Sequence, residues 1–160
     1  MNGAQKRVVV LGNSGAGKST LARALAAAHG LAHLDLDTLA WHPTDPPERT
    51  PLDEAGKALD AFTNANTRWV VEGCYADLAA LIAPRADTMI FLDLSVAACQ
   101  QHARARPWEP HKYPSQEAQD ANLPMLLDWI AAYPEREGPL GRPAHAALFE
   151  RFQGHRDHRT

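Results

Sequence analysis

Residues 12–19 of this chain read Gly-Asn-Ser-Gly-Ala-Gly-Lys-Ser, which satisfies the pattern G-x-x-x-x-G-K-[ST] at every position. The stretch follows a short apolar run, Val8 to Leu11, and opens an alanine- and leucine-rich run that extends to His29. Glycines at these spacings let the backbone turn sharply and aim several N–H groups at one point, and the following helix adds the positive end of its dipole. The sequence therefore predicts a strand, an anion-binding loop and a helix.

This loop is expected to bind a nucleoside triphosphate. Lys18 supplies a mobile cation for the β- and γ-phosphates, and Ser19 offers a hydroxyl to Mg²⁺. We therefore expect ATP and Mg²⁺ as cofactors. The residues predicted to bind the nucleotide are Gly12, Asn13, Ser14, Gly15, Ala16, Gly17, Lys18, Ser19 and Thr20.

The chain as a whole has the composition of one globular domain. Its 160 residues suffice for a single hydrophobic core, which predicts one domain over 1–160. A net charge of −3 gives no general attraction to nucleic acid or to an anionic membrane surface. No apolar run approaches the roughly 18 residues that a membrane span needs, and the start of the chain does not resemble an export signal. We expect a cytoplasmic protein with a small-molecule partner and no nucleic-acid partner.

Strand-like and helix-like stretches alternate along the chain at the lengths of β-α-β units, which predicts an α/β fold with a parallel sheet and helices on both faces. Four strands are visible in the sequence, and they end in the phosphate loop, at Asp37, at Gly73 and at Leu94. Residues 41–51 are proline-rich and are predicted to form a loop. From Tyr133 onward we predict only helix and tail, with the polar end of the chain frayed.

Acidic side chains stand where the predicted strands end, which is where parallel sheets place their ligands. Asp35 and Asp37 are two residues apart on one strand and should share a face, where Asp37 could act as a general base. Glu72 ends the next strand and could hold Mg²⁺ opposite Ser19. Asp93, at the end of the fourth strand, competes for that metal role.

Phosphoryl transfer requires cations beyond the loop lysine, because negative charge spreads over the transferring oxygens. Arg104 and Arg106 end a predicted helix and lead into a stretch rich in aromatic residues and proline, with Lys112 among them. We predict that a segment at about 104–124 forms a lid over the site, with Arg104 and Arg106 as catalytic cations. The alternative is an ordinary helix end followed by a turn.

The phosphate loop, His33-Leu34-Asp35 with Trp41, and Trp69-Val70-Val71-Glu72-Gly73 together resemble the small kinases of the nucleoside-monophosphate-kinase superfamily, which share the P-loop. Within it, the chain resembles small bacterial proteins described as adenylate-kinase-like, shikimate-kinase-like or DNA-topology-modulation proteins. The resemblance covers about residues 7–95. It implies a three-layer α/β/α fold in which the four visible strands take the spatial order 2-3-1-4.

The resemblance also implies roles for single residues. Asp37 would contact the acceptor hydroxyl, Glu72 would lie near Mg²⁺ and so be preferred to Asp93, and Arg104 and Arg106 would be lid arginines. Two features depart from the family. Only Gly73 stands where shikimate kinases have three glycines, and the fifth strand of the fold, whose following loop holds adenine, is not visible. Adenine would then need another binding site, for which Arg104 and residues 152–154 are candidates.

The leading hypothesis is a phosphotransferase: a small-molecule kinase that moves the γ-phosphoryl group of ATP to a hydroxyl or phosphate acceptor. The alternative is a regulatory P-loop ATPase or nucleotide switch that acts through a partner. The sequence offers little for that alternative, since it contains neither an Asn-Lys-x-Asp guanine-binding motif nor a basic stripe.

Overall fold

The computed structural model describes residues 6–160, which form a parallel β-sheet with helices on both faces. Residues 1–5, part of the start of the chain in which no export signal is expected, lie outside this range. In chain order the elements are β1 (Arg7–Gly12), α1 (Lys18–His29), β2 (Ala32–Asp35), α2 (Asp37–Ala40), β3 (Trp41–His42), β4 (Glu48–Arg49), α3 (Leu52–Ala65), β5 (Trp69–Gly73), α4 (Ala76–Ile82), β6 (Thr88–Leu92), α5 (Val96–Ala105), α6 (Gln116–Ala131), α7 (Arg142–Arg151) and β7 (His155–Arg159).

The main sheet has five strands in the order β2-β5-β1-β6-β7, and every neighbouring pair is parallel. The predicted order of the first four strands is confirmed. β1, β5 and β6 are almost wholly buried and consist of near-continuous apolar runs, as expected for strands covered on both faces. The phosphate loop follows the central strand, so both of its neighbours can reach it.

The prediction of four strands and a frayed tail is wrong, because the tail forms the fifth strand, β7. Its sequence, His-Arg-Asp-His-Arg, carries no apolar signal, since the strand lies at the sheet edge and is mostly exposed. Main-chain pairing with β6 fixes it in register, with Thr88 opposite His155 and Leu92 opposite Arg159. The ring of His158 also stacks on Phe91, with 5.4 Å between centroids.

Two apolar layers hold the helices to the sheet. On one face, Leu59 of α3, Leu78 of α4 and Phe149 of α7 belong to a buried cluster with Val9 and Val71. On the other face, a second cluster joins α1, α5 and α6 to the sheet through alternate strand residues. Alternation of side chains along β1 therefore divides its valines between the two layers. The buried members of the second cluster are Val8, Val10, Ala16, Ala22, Leu31, Val70, Ile90, Leu92, Cys99, Ala103 and Ile130.

Local residue types account for several helix ends. Gly30 ends α1 in the left-handed conformation, with φ of 66°. Ser95 caps α5, because its side chain accepts a hydrogen bond of 3.1 Å from the backbone N–H of Ala98. Pro124 lies inside α6, which continues through this exposed residue. Within residues 6–160, no helix is long and apolar enough to span a membrane.

The segment after β2 differs from its prediction. The strand ends at Asp35, and Asp37 begins the short helix α2, so the two carboxylates do not lie on one strand face. The side chain of Asp35 explains the turn, because its Oδ1 accepts a hydrogen bond of 2.9 Å from the N–H of Asp37. The proline-rich loop also contains a short antiparallel hairpin, in which Trp41 pairs with Arg49.

Candidate active site

A cleft of about 600 Å³ opens at the carboxyl ends of β1, β2 and β5. One wall is the phosphate loop with the start of α1, and the opposite wall comes from α2, the β3–β4 hairpin and the segment after α5. This is where an open parallel sheet places its ligands. The residues that line it include Ser14, Gly15, Gly17, Lys18, Ser19, Thr20, Arg23, His33, Asp35, Asp37, Trp41, Glu72, Tyr75, Arg106, Glu109 and Lys112.

Packing against α5 fixes the phosphate loop. Gly15 has φ of 78°, and a Cβ there would lie 2.3 Å from the carbonyl oxygen of Cys99, so only glycine fits. The carbonyl of Gly15 accepts a hydrogen bond of 2.7 Å from Nδ1 of His102. α5 therefore supports the loop and fixes the path of its turn.

The predicted nucleotide-binding residues fall into two groups. Six of them line the cleft, from Ser14 to Thr20 with the exception of Ala16. Gly12, Asn13 and Ala16 are buried beneath the loop, where they shape it. Asn13 donates its side-chain amide to the carbonyl of Ile130 at 3.2 Å, which ties the loop to the end of α6.

Lys18 begins α1 and points back over the loop, where its Nζ donates a 2.7 Å hydrogen bond to the carbonyl of Asn13. The ammonium group therefore lies over the concave side of the turn. An ammonium group carries three N–H bonds, so the bond to Asn13 leaves two that phosphate oxygens could accept.

Ser19, Glu72 and His33 form one hydrogen-bonded group. Ser19 Oγ donates to Oε2 of Glu72 at 2.8 Å, and Nε2 of His33 donates to the same oxygen at 2.9 Å. Glu72 is only 2% exposed, although it lines the cleft. A buried carboxylate oriented by two donors beside a serine hydroxyl is a set of hard oxygen ligands of the kind Mg²⁺ prefers. These residues fit a magnesium ion.

Asp93 has different partners. Arg142 donates to both of its carboxylate oxygens, at 2.8 Å and 2.6 Å, and Nε2 of His158 donates to Oδ2 at 2.9 Å. The hydrogen bonds from Arg142, and then from His158, outweigh burial and lower the pKa of Asp93. The structure thus pairs Asp93 with Arg142 of α7 and His158 of β7, whereas Glu72 faces Ser19.

Asp37 is positioned by the hydroxyl group of Tyr75. The Tyr75 hydroxyl donates to Oδ1 of Asp37 at 2.6 Å and accepts from the indole N–H of Trp41 at 2.9 Å. Burial is the main reason that the pKa of Tyr75 is raised, so its proton stays in place as a donor. Burial, and then repulsion from Glu72 and Asp37, raises the pKa of Asp35. Asp35 lies directly opposite Glu72 in the β2–β5 pairing.

The segment after α5 brings cations to the cleft, but not all those expected. Arg106 lines the cleft and pairs with Glu109 at 3.3 Å. Nζ of Lys112 lies 3.6 Å from Glu109 and 3.7 Å from Oδ2 of Asp37, so this segment contacts Asp37 of α2. Arg104 lines a separate cavity of about 30 Å³ between α5 and α6. The structure does not bring it to the phosphate loop.

Residues 152–154 are not close to the phosphate loop, so the suggestion that they seat adenine with Arg104 is wrong. A Cβ on Gly154 would lie 2.6 Å from the carbonyl of Asp87, which precedes β6. That carbonyl is at the amino end of the sheet, opposite the cleft. The error arose because the fifth strand, β7, was not predicted. β7 reaches the carboxyl end of the sheet only at Arg159, opposite Leu92.

Sequence reasoning assigned no role to His33, Tyr75 or Glu109. His33 precedes the acid of its own strand by two residues, and that alternation places both on one face. This signal was available for His33. Tyr75 and Glu109 act on residues 38 and 3 positions away, through loops whose path the sequence does not fix.

Comparison with known proteins gives a family and distant structural likenesses. The model of a family described as an AAA domain matches residues 8–122, more than half of the chain. No curated protein matches the sequence.

Solved structures that resemble the chain include a shikimate kinase from Acinetobacter baumannii in complex with shikimate, at 20% identity and a TM-score of 0.45, covering 90% of this chain and 91% of that one. A gluconokinase from Sinorhizobium meliloti 1021 has the same identity and TM-score and covers 92% of this chain and 98% of its own. The family match agrees with the observed phosphate loop and parallel sheet. The chain therefore belongs to the AAA-domain family.

Proposed function

We propose that this protein is an ATP-dependent small-molecule kinase that transfers the γ-phosphoryl group to an acceptor. The observation that carries the proposal is that a phosphate loop with Lys18 and the carboxylate of Asp37 line one cleft. A site that only binds nucleotide needs the first of these. A transferase also needs a group that can take a proton from an acceptor.

The donor half of the site would hold ATP through the loop N–H groups and Lys18. Ser19 and Glu72, oriented by His33, would hold Mg²⁺. The ion would supply charge neutralisation at the phosphate oxygens. Arg106 would add a second cation from the lid side, exchanging Glu109 for phosphate oxygens.

The acceptor half of the site would be organised around Asp37. The acceptor oxygen forms a bond to the γ-phosphorus, the bond from that phosphorus to the β–γ bridging oxygen breaks, and ADP leaves. The hydroxyl proton goes to the carboxylate of Asp37, which acts as general base. Tyr75 holds one oxygen of that carboxylate at 2.6 Å and leaves Oδ2 on the side of Lys112.

The proposal is tested by incubating the protein with ATP, Mg²⁺ and a panel of metabolites and identifying phosphorylated products by mass spectrometry. We expect product formation that Asp37→Asn lowers by about 10²-fold or more, with little change in ATP affinity. Lys18→Ala should lower ATP affinity and turnover together. The absence of any product, with slow ATP hydrolysis that Asp37→Asn leaves unchanged, would contradict the proposal and favour a regulatory ATPase.

A further inference from the structure

The acceptor end of the cleft is rich in carboxylates. Asp35 and Asp37 line it, and Glu72 lies beside Asp35 in the sheet pairing. An acceptor bound here also lies next to the triphosphate, so any negative charge that it carries meets like charges on two sides.

The cations that reach this end already have carboxylate partners. Lys112 lies between Asp37 and Glu109, and Arg106 pairs with Glu109. Arg23 also lines the cleft, one helical turn beyond Ser19 on α1, and adds one positive charge against the three carboxylates.

Arg49, in the β3–β4 hairpin beside this end of the cleft, also has fixed partners. Its Nη2 contacts both oxygens of Asp77, at 3.2 Å and 3.0 Å, and its Nε donates to the carbonyl of Ala40 at 3.2 Å. The guanidinium also packs on two rings, 5.7 Å from the centroid of Trp41 and 5.0 Å from that of Tyr75. Arg49 therefore stabilises the rings of Trp41 and Tyr75, which together form an aromatic wall.

The aromatic wall leaves one apolar surface open. Trp41 is 41% exposed, although its indole N–H is already bonded to Tyr75. The exposed part is therefore ring carbon, which packs well against the C–H face of a ring or a carbon chain. Ionised carboxylates only accept hydrogen bonds, so Asp35 and Asp37 need donors, which the hydroxyl groups of an acceptor can supply.

We propose that the acceptor is an uncharged polyhydroxylated compound, such as a sugar, a polyol or a nucleoside, and that it stacks on Trp41 and donates hydroxyls to Asp35 and Asp37. The inference rests on the proposed function, because it names the substrate class for the same cleft. Under it, acids and phosphate esters are excluded by like charge, and the nucleophile is a hydroxyl.

Matched acceptor pairs that differ in one acidic group test the inference. Xylitol with xylonate, ribitol with ribonate, and adenosine with adenosine monophosphate are supplied at fixed Mg·ATP, and kcat/KM is measured for each. We expect the uncharged member of a pair to be favoured by about tenfold or more. A preference for the acid, or equal rates for both members, would overturn the inference.

Two variants locate the discrimination. Asp35→Asn should narrow the ratio between the pair members by raising kcat/KM for the acid, since it removes one of the repelling charges. Asp53→Asn, which makes the same charge change at an exposed position early in α3, should leave the ratio as it is. An unchanged ratio in folded Asp35→Asn would also count against the inference.

Failure of the two proposals can be told apart. If no pair member is phosphorylated while ATP hydrolysis still depends on Lys18, the acceptor class is wrong and the nucleotide site stands. If ATP turnover does not depend on Lys18, the kinase proposal itself is wrong.

Discussion

Glu72 and Asp93 invite comparison, because they end the two strands that flank β1 and each accepts a hydrogen bond of 2.9 Å from a histidine Nε2. Their other partners differ. Glu72 faces the hydroxyl of Ser19, a neutral group, whereas Asp93 binds the guanidinium of Arg142 through both oxygens.

The difference separates a site that can accept a cation from one that already holds its own. Within residues 6–160, Glu72 has no guanidinium partner, so its carboxylate can serve as a ligand for a metal ion. A carboxylate with an arginine is neutralised inside the fold and serves to hold β6, α7 and β7 together. Two acids that look equivalent in the sequence are therefore expected to answer to different measurements, activity for one and stability for the other.

The largest effect is expected for Glu72→Gln. Loss of the charge beside Ser19 should lower the turnover of Mg·ATP by about 10²-fold, because the ligand for the metal is weakened. Asp93→Asn is the matched control and should stay within about threefold of the unchanged protein. Steady-state kinetics with coupled ADP detection measures both. Similar losses in the two variants would break the comparison.

The next effect is on stability. Asp93→Asn should lower the free energy of unfolding by about 2 kcal/mol at neutral pH, since it removes the charge that Arg142 and His158 bind. Urea unfolding measures it. Because the pKa of Asp93 is lowered in the fold from its ordinary 3.8, this stabilisation is complete above that value. It is lost as the pH falls through the folded pKa, so the two unfolding curves should converge in acid. A pH-independent difference would contradict this account.

The smallest effects come from the two histidines and sharpen the comparison most. His33→Gln should lower turnover by about tenfold, because Glu72 loses a donor that orients it, and should change stability little. His158→Gln should do the reverse, costing about 1 kcal/mol through the lost bond to Asp93 and the lost stacking on Phe91, with turnover unchanged. If both variants lost activity, Asp93 would belong to the active site after all.

Sequence reasoning reached the parts of the fold that local patterns determine. The spacing of Gly12, Gly17 and Lys18 predicted the loop, and apolar runs predicted β1, β5 and β6, whereas the order of the strands came from the family resemblance. Caps at Gly30 and Ser95 followed from residue type alone. In each case the signal lies within a few residues of the feature that it determines.

Sequence reasoning failed where the partner of a residue comes from a distant part of the chain. β7 has a polar sequence that becomes a strand only because the edge of β6 is there to pair with it. The turn at Asp35 placed Asp37 in a helix, and only the fold shows that Tyr75 reaches it. The partners of Asp93 are 49 and 65 residues away, so its ion pairs could not be inferred from the strand-end pattern.

Isothermal titration calorimetry of ATP, with and without Mg²⁺, on the unchanged protein and on Glu72→Gln tests the central claim most directly. The account predicts that Mg²⁺ strengthens ATP binding to the unchanged protein, that Glu72→Gln loses about tenfold or more of that gain, and that Asp93→Asn keeps it. No heat of binding, or the same magnesium dependence in all three proteins, would contradict the assignment of Lys18, Ser19 and Glu72 to one nucleotide site.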